Sequence, residues 1–449
     1  MTESISLAND LISTRLSLIT GGLENPATVS FGTVSRIVGM TIEAKGLMVS
    51  LGTICLIQTH SRLEIEAQVV GFKEDAILLM PFGGTQGLES GAKVRQKDHS
   101  DMALVGYEAL GRVLDARGEA LDGLPTPKCS ASLPLTGPSI NPMLRDPIEE
   151  ILDVGVRSIN SLLTIGCGQR IGLIAGSGVG KSVLLGMMTR FSSADVIVIG
   201  LIGERGREVK AFIEENLGTQ GLNRSVVIAS PADSSPLLRM RGASLAHSFA
   251  EYFRSEGKKV LLLMDSLTRV AHAQREIGLA IGEPPAVKGY PSSVFSILPK
   301  MIERSGTGIG GLGSITSIYT VLAEGDDLND PVVDIARSAL DGQIALSRDL
   351  ADEGHFPAID LQGSISRLMQ VLQVKQNLQR ATRFRKLWAT YQQNKDLVQV
   401  GAYEMGSNTD LDYALHIKEN MLNFLIQDMN EPCELNQSMQ ALEGLIDGD

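Results

Sequence analysis

The stretch Leu173–Met187 has the sequence LIAGSGVGKSVLLGM, in which an apolar run, a glycine-rich turn and a helical pattern follow one another. The apolar run predicts a buried strand, and apolar residues after the lysine recur at helical spacing. The glycines allow the backbone to turn tightly, so that its N–H groups point at one anion. The N-terminus of the following helix adds its dipole. The stretch therefore predicts a phosphate-binding loop between a strand and a helix.

The side chains of this loop indicate a nucleotide as the ligand. Lys181 is placed to reach the β- and γ-phosphates, and the hydroxyl of Ser182 is a ligand for Mg²⁺. The alternative is an ordinary glycine-rich turn, which requires neither the lysine nor the serine. We predict that ATP is bound by Ala175, Gly176, Ser177, Gly178, Val179, Gly180, Lys181 and Ser182.

Two carboxylates follow later strand-like runs. Asp265 ends the run KVLLLMD, and Glu204 comes just after ADVIVIG. Because ligands bind at the carboxyl ends of parallel strands, both side chains are expected near the phosphate loop. We predict that Asp265 holds Mg²⁺ and that Glu204 orients the attacking water. The alternatives are a turn residue for Asp265 and a charged helix start for Glu204. Glu208 is expected to form an ion pair or to contact and support a site residue.

The alternation of strands and helices around the loop predicts the fold class. The runs RIGLIA, ADVIVIGLIG, RSVVIAS, KVLLLMD, SITSIYTVL and GQIALS alternate with amphipathic segments such as GREVKAFIEENL. Such alternation is typical of an α/β protein with a mostly parallel sheet covered by helices. After about residue 372, the chain has helical patterns to its end.

The N-terminal part has a different pattern. RLEIEAQVVGF alternates apolar and polar residues, which predicts a small antiparallel β-barrel, and we favour an oligomer-forming role for it. Before it, apolar residues recur at helical spacing, and this amphipathic helix either packs on its own domain or docks a partner. The predicted domains are the N-terminal helix 1–24, the β-barrel 25–96, the nucleotide-binding domain 97–372 and the C-terminal helical domain 373–449.

Composition excludes several classes of protein. The net charge of −12 over 449 residues argues against a nucleic-acid-binding surface, which must be basic. No two of the four cysteines form a CxxC pair, so neither a zinc site nor a disulfide framework is expected. The N-terminus lacks a basic start and a continuous apolar run, and no apolar run reaches about 18 residues. We therefore predict a cytoplasmic protein.

In this order, the motifs resemble those of the rotary ATPase catalytic subunits, and most closely the flagellar and type III export branch of that family. The resemblance rests on GLIGERGREVK, LLLMDSLTR, REIGLAIGEPPAVKGYP, GSITSIYTVLAEGDD and LDGQIALSRDLADEGHFPAIDLQGSISR. It extends from about residue 28 to the C-terminus. It implies a RecA-like core and Mg²⁺-dependent ATP hydrolysis that energises protein export.

The resemblance also implies a homohexamer with active sites between subunits. Arg367 would then be the arginine finger that reaches the γ-phosphate of the neighbouring subunit, and Arg205 would assist there. Phe356 and Tyr403 would stack on the adenine. The implied partners are a regulatory stator-like protein at the N-terminal helix, a central stalk-like protein, export chaperones with their cargo, and the export gate. The protein would act peripherally at the inner membrane.

The sequence leaves alternatives to a flagellar export ATPase open. The chain lacks the acidic lever segment of the rotary synthases between Gln379 and Tyr403, which favours export over ATP synthesis. The nearest rival is the ATPase of a virulence-type injectisome. An RNA-translocating hexamer of the transcription-termination type would need a basic, aromatic barrel face, which is missing. A non-catalytic nucleotide-binding subunit is disfavoured because Glu204 accompanies the Lys181–Ser182 pair.

Overall fold

The chain divides into two compact units, Met1–Ser100 and Asp101–Asp449. The computed structural model describes residues 30–61, 63–97, 102–138, 140–322 and 330–448. The amphipathic helix predicted over residues 1–24 lies outside the described residues. Within the described part, every helix is too short or too polar to cross a membrane.

The first unit contains a closed six-stranded barrel, as predicted. Its strands pair antiparallel in the order β1-β2-β5-β4-β3-β6, and closure leaves no free sheet edge. Alternate side chains, including Val34, Ile42, Ile57 and Leu79, form its buried core. The strands are β1 Phe31–Val38, β2 Thr41–Lys45, β3 Ile54–Gln58, β4 Glu64–Lys73, β5 Ala76–Pro81 and β6 Lys93–Gln96.

The second unit is built on a nine-stranded, mostly parallel sheet. Its strand order is β17-β16-β10-β15-β13-β11-β12-β8, with β14 paired antiparallel to β15 and β17 antiparallel to β16. Strands β7 and β9 form a separate two-stranded sheet. The strands are β7 Met102–Val105, β8 Arg112–Leu114, β9 Ala131–Pro134, β10 Arg170–Ala175, β11 Val196–Ile202, β12 Ser225–Ser230, β13 Lys259–Asp265, β14 Gly306–Thr307, β15 Ser314–Leu322, β16 Gly342–Leu346 and β17 Ile359–Ser366.

Helices cover both faces of this sheet and form the C-terminal region. The helix α5 begins with Pro at its first position, and the Ser235 hydroxyl caps it by accepting from the N–H of Leu238. A π-helical segment, Phe212–Leu217, joins α3 to α4. The helices are α1 Arg157–Leu162, α2 Lys181–Phe191, α3 Gly206–Ala211, α4 Gly218–Asn223, α5 Pro236–Ser255, α6 Leu267–Ala280, α7 Ser292–Glu303, α8 Pro331–Ala339, α9 Arg348–Asp352, α10 Met369–Leu372, α11 Lys375–Gln399, α12 Thr409–His416, α13 Lys418–Leu425 and α14 Leu435–Asp447.

Two apolar layers, one on each face of the sheet, form the core of the second unit. Every residue of β11 is buried, as expected for a parallel strand covered on both sides. The C-terminal helices join one layer through Phe384, Trp388 and Phe424. Because β10, β11, β13 and β15 are parallel neighbours or near neighbours, their carboxyl ends meet at one edge of the sheet. This edge holds the phosphate loop.

Candidate functional site

The phosphate loop has the backbone that its glycines predict. Gly178 and Gly180 have φ of +81° and +85°, in the left-handed region where other residues are strained. A Cβ on Gly178 would meet no described atom within 4 Å, so the space above it is open. A Cβ on Gly180, the N-cap of α2, would lie 3.3 Å from the Phe356 ring. The loop therefore forms an open cradle with an aromatic ring against one side.

A cavity of about 600 Å³ opens above this loop. Its volume is in the range typical of small-molecule sites. The carboxyl ends of β10, β11, β13 and β15 all contribute to its walls. It is lined by Ala175, Gly176, Ser177, Gly178, Gly180, Lys181, Ser182, Val183, Leu201, Gly203, Glu204, Arg205, Glu208, Val209, Phe212, Ala232, Asp265, Arg269, Leu322 and Arg348.

The structure brings together the three charged residues that the sequence singled out. The ammonium of Lys181 lies 2.5 Å from Asp265 Oδ1 and 3.8 Å from Glu204 Oε1. Their side chains are 13%, 5% and 15% exposed, so all three are shielded from bulk water. In this shielded site a cation lies between two carboxylates, at the place where the loop would present phosphate oxygens.

Of these three side chains, Glu204 has the least complete hydrogen bonding. Its Oε1 is buried and has no hydrogen-bond partner among the described residues. Burial, reinforced by the nearby Asp265 carboxylate, raises the pKa of Glu204 to about 7, although Lys181 opposes the shift. A hydrogen bond with the Glu208 side chain also raises this pKa. A buried carboxylate with a free oxygen and a pKa near neutrality can accept a proton from a bound water.

The residues present fit a magnesium ion that is bound together with phosphates. Among the described residues no group of three or more acidic, histidine or cysteine side chains could hold a metal alone. Mg²⁺ in nucleotide sites needs only one or two protein oxygens, because phosphates and waters supply the others. Ser182 is exposed at the start of α2, and Asp265 lies at the end of β13 in the same cavity. The open glycine cradle and the unpartnered Glu204 oxygen leave room for such a ligand.

The remaining predicted residues lie in different places. Arg205 lines the cavity, with its side chain 70% exposed and 3.4 Å from Glu208. Phe356 lies against the loop at Gly180 and is 43% exposed. Tyr403 is not among the lining residues, and its hydroxyl donates to Asp412 Oδ1 at 2.7 Å. Its adenine contact stays a prediction.

Arg367 lies outside this cavity. It directly follows β17, is exposed, and donates from Nη2 to the carbonyl of Arg337 at 3.3 Å. The backbone N–H of Arg367 donates to the backbone carbonyl of Asp341. Arg367 therefore does not line the cavity of its own chain, and its role as an arginine finger stays a prediction.

Sequence reasoning missed three residues at the site. Arg269, four residues after Asp265, packs so closely on Gly203 that a Cβ there would lie 2.6 Å from its own Cβ. Arg348 begins α9 and lines the cavity. Thr320 donates from Oγ1 to Asp265 Oδ1 at 2.6 Å. The spacing of Arg269 from Asp265 was a usable signal, whereas a threonine in an apolar strand gave none.

Three family models match successive parts of the chain. Residues 34–97 match the β-barrel domain of the ATP synthase alpha/beta family. Residues 155–366 match the nucleotide-binding domain of the same family. Residues 374–444 match the C-terminal domain of the type III secretion ATPase EscN.

Curated relatives match almost the whole chain. The flagellum-specific ATP synthase of Pseudomonas aeruginosa is 53% identical over 438 residues, which cover 97% of each chain. That of Salmonella typhimurium is 53% identical over 428 residues, with 93% of this chain and 94% of the relative covered. That of Bacillus subtilis is 48% identical, with 92% and 95% covered.

Solved structures agree with both the fold and the family. The assembled ATPase EscN of the enteropathogenic E. coli type III secretion system is 40% identical, with a TM-score of 0.87 and with 92% of this chain and 100% of that chain covered. EscN in complex with its central stalk EscO gives a TM-score of 0.85 at 39% identity over the same shares. The chain belongs to the flagellum-specific ATP synthases of the ATP synthase alpha/beta family, and it is an ATPase of the flagellar and type III secretion export type.

Proposed function

We propose that Glu204, Lys181 and Asp265 perform Mg²⁺-dependent ATP hydrolysis in the cavity, and that this reaction energises flagellar protein export. Glu204 accepts a hydrogen bond from the attacking water and orients it. Lys181 leaves Asp265 and binds the β- and γ-phosphates. The observation that supports the assignment is the buried Oε1 of Glu204, which has no hydrogen-bond partner among the described residues and lies 3.8 Å from the Lys181 ammonium.

Ser182 and Asp265 would hold the magnesium ion, which would supply positive charge to offset that of the phosphates. Asp265 is suited to this because it is a buried carboxylate at a strand end. Phe356 would contact the adenine, since its ring lies against the phosphate loop at Gly180. Tyr403 would complete that contact, and Arg205 would assist at the γ-phosphate from the mouth of the cavity.

We further propose a homohexamer in which Arg367 serves the site of the neighbouring subunit. Two observations support this: Arg367 is exposed, and it does not line the cavity of its own chain. A guanidinium brought to the γ-phosphate stabilises charge that develops in the transition state. The assembled form of EscN, which matches this chain over 92% of its length, is consistent with a ring.

Mixing two inactive proteins tests this arrangement. Arg367→Ala keeps an intact loop and Lys181→Ala keeps an intact finger. In mixed rings, some interfaces pair the phosphate loop of an Arg367→Ala subunit with the Arg367 side chain of a Lys181→Ala subunit. ATP hydrolysis should return at those interfaces. Phosphate release is measured at a range of mixing ratios, and ring formation is followed by native mass measurement.

The control is a mixture of Arg367→Ala with Glu204→Gln,Arg367→Ala, in which no subunit carries a finger. That mixture should stay inactive. If mixed rings of Arg367→Ala and Lys181→Ala form but recover no activity, and wild-type specific activity does not change with dilution, Arg367 is not supplied between subunits.

In the cell, this ATPase would receive export chaperones with their cargo, release the cargo and deliver it to the export gate, peripherally at the inner membrane. A central stalk-like protein would contact the ring, as EscO contacts EscN. A regulatory stator-like protein would bind residues 1–24. Deletion of residues 1–20 should preserve ATP hydrolysis and abolish capture of that regulator in a pull-down, and retained capture would contradict this role.

The second candidate is the ATPase of a virulence-type injectisome, because EscN is similar over 92% of this chain at 40% identity. The flagellar assignment is favoured by the 53% identity with flagellum-specific relatives. Deleting the gene separates the two: loss of flagellar filaments with intact effector secretion supports the flagellar role. An RNA-translocating role lacks support because the chain carries a net charge of −12.

A further inference from the structure

Thr320 is a fully buried residue at the centre of the site, on the strand between the two that carry its main motifs. Strand β15 lies between β10, which leads into the phosphate loop, and β13, which ends in Asp265. Met264 of β13 pairs with Tyr319 of β15, so the next residues, Asp265 and Thr320, are neighbours. The register therefore brings the Thr320 hydroxyl beside the Asp265 carboxylate.

The hydroxyl has two acceptors within reach, and the geometry favours one. Its Oγ1 lies 2.6 Å from Asp265 Oδ1 and 3.3 Å from the Met264 carbonyl. A hydroxyl has one proton to donate, and the shorter contact to a charged oxygen is the stronger bond. Thr320 therefore donates to Asp265.

The same carboxylate oxygen also binds the phosphate-loop lysine. Lys181 Nζ lies 2.5 Å from Asp265 Oδ1, so the ammonium and the hydroxyl converge on one atom. On the proposed function, Lys181 moves to the phosphates when nucleotide binds. Asp265 would then be a buried carboxylate without its cation, and a buried charge with no donor is strongly unfavourable.

We propose that Thr320 is a positioning residue that holds the Asp265 carboxylate in place while Lys181 transfers from Asp265 to the nucleotide. This inference rests on the proposed roles of Lys181 and Asp265. A neutral donor suits the task, because it fixes the carboxylate without cancelling the charge that attracts magnesium. Thr320 acts through Asp265 and does not contact the nucleotide.

The surroundings keep the hydroxyl at a fixed place. Thr320 is 0% exposed, and a β-branched side chain has few rotamers available. Just beyond it, the N–H of Leu322 donates to Thr268 Oγ1 at 2.9 Å, which ties the end of β15 to α6. Strand β15 therefore presents the hydroxyl rigidly to β13.

Nucleotide binding with and without magnesium tests the role. A fluorescent ATP analogue is titrated into wild type and Thr320→Val, once with Mg²⁺ and once with EDTA. Valine keeps the shape of threonine and removes the donor. We expect the affinity in EDTA to stay within about twofold and the gain in affinity on adding Mg²⁺ to fall about tenfold, as for a lost hydrogen bond to a charged group. Thr320→Ser should retain the gain.

Thr316→Val is the matched control. Thr316 lies on the same strand and is also buried, and within the described part of the chain its hydroxyl bonds only backbone atoms of Gly166 and Gly168. Its loss should leave the magnesium gain unchanged. In an Asp265→Asn background, Thr320→Val should have no further effect on that gain.

The outcomes separate the inference from the proposed function. A magnesium gain that survives in Thr320→Val, or that falls equally in Thr316→Val, overturns the role of Thr320. If Thr320→Val does not fold, Thr320→Ala is measured in its place, and it must show the same loss. A wild-type protein that gains no affinity from Mg²⁺ overturns the magnesium site itself.

Discussion

Two carboxylates in the second unit, Glu251 and Glu204, differ in how completely their oxygens are hydrogen-bonded. Glu251 on α5 receives two hydrogen bonds from Arg304, at 2.9 Å and 2.7 Å, and its side chain is 3% exposed. Arg304 also donates to the Leu135 carbonyl and to Ser248. The Glu204 side chain is 15% exposed, and its Oε1 has no hydrogen-bond partner among the described residues, although Lys181 lies 3.8 Å away.

The difference separates a structural charge from a reactive one. The Glu251–Arg304 pair satisfies both carboxylate oxygens, so its removal should disturb packing and leave the nucleotide site intact. On the proposed function Glu204 is held for a ligand, and its Oε1 without a hydrogen bond and its raised pKa are unfavourable in the nucleotide-free protein. Burial alone does not distinguish the two carboxylates; incomplete hydrogen bonding next to a cavity does.

The largest expected effect on turnover comes from removing the Lys181 ammonium, which lies beside Glu204 and Asp265. Lys181→Ala should lower turnover by about a hundredfold or more, because a phosphate-binding donor is lost. Steady-state phosphate release and nucleotide affinity measure this. Lys210→Ala is the control, since Lys210 is exposed and forms an ion pair with Glu214 in the following turn. Unchanged affinity together with unchanged turnover in Lys181→Ala would show that the loop is not the site.

Breaking the structural pair should affect stability instead. Glu251→Gln leaves the Arg304 guanidinium buried without its full counter-charge, which is expected to lower the free energy of unfolding by about 3–5 kcal/mol. Turnover per folded molecule should stay near that of wild type. The control Glu303→Gln removes a carboxylate that is 60% exposed and pairs with Arg170, so it should change stability by less than about 1 kcal/mol. Equal losses in both variants would refute the contrast.

The raised pKa of Glu204 predicts a pH dependence of activity. A carboxylate with a pKa of about 7 is protonated below that pH and then cannot accept a proton from water. The value of kcat/KM for ATP, which reports the free enzyme, should therefore fall about tenfold per pH unit below 7. Glu208→Gln should move this fall in kcat/KM to lower pH, because Glu208 raises the pKa of Glu204. If the fall in kcat/KM does not move, it reports the titration of another group, such as ATP itself.

Much of the second unit could be predicted from sequence because its signals are local. The runs RIGLIA, KVLLLMD and SITSIYTVL coincide with β10, β13 and β15. Parallel strands covered on both faces are continuous apolar runs, so their patterns are easy to recognise. The short strands β7, β8, β9 and β14 were missed, since two to four residues carry no periodicity. The eight-residue strand β17 was also missed, because this antiparallel edge strand has no continuous apolar run.

The site could be predicted only in part. The Lys181–Asp265 contact follows from motifs at strand ends, and the structure brings them to 2.5 Å. The contact of the Thr320 hydroxyl with Asp265 depends on strand order, because β15 lies between β10 and β13. Sequence spacing does not contain strand order. The role of Arg367 was taken from family resemblance, and no local pattern indicates it.

On the proposed function, Glu204 is held at a cost to stability for use in hydrolysis, and the Glu204→Gln variant separates the two effects. Its folded pKa of about 7 lies above the ordinary 4.5, so stability falls as pH rises from 4.5 to 7 and the loss is complete above 7. Glutamine lacks this titration. The nucleotide-free variant should therefore gain more in Tm over wild type at pH 8 than at pH 5.

Phosphate release and Tm are measured on the same preparation of Glu204→Gln. We expect turnover at least about a hundredfold below wild type, ATP affinity within about threefold, and a higher Tm at pH 8. Turnover within about threefold of wild type, or a lower Tm at pH 8, would show that Glu204 does not have this role.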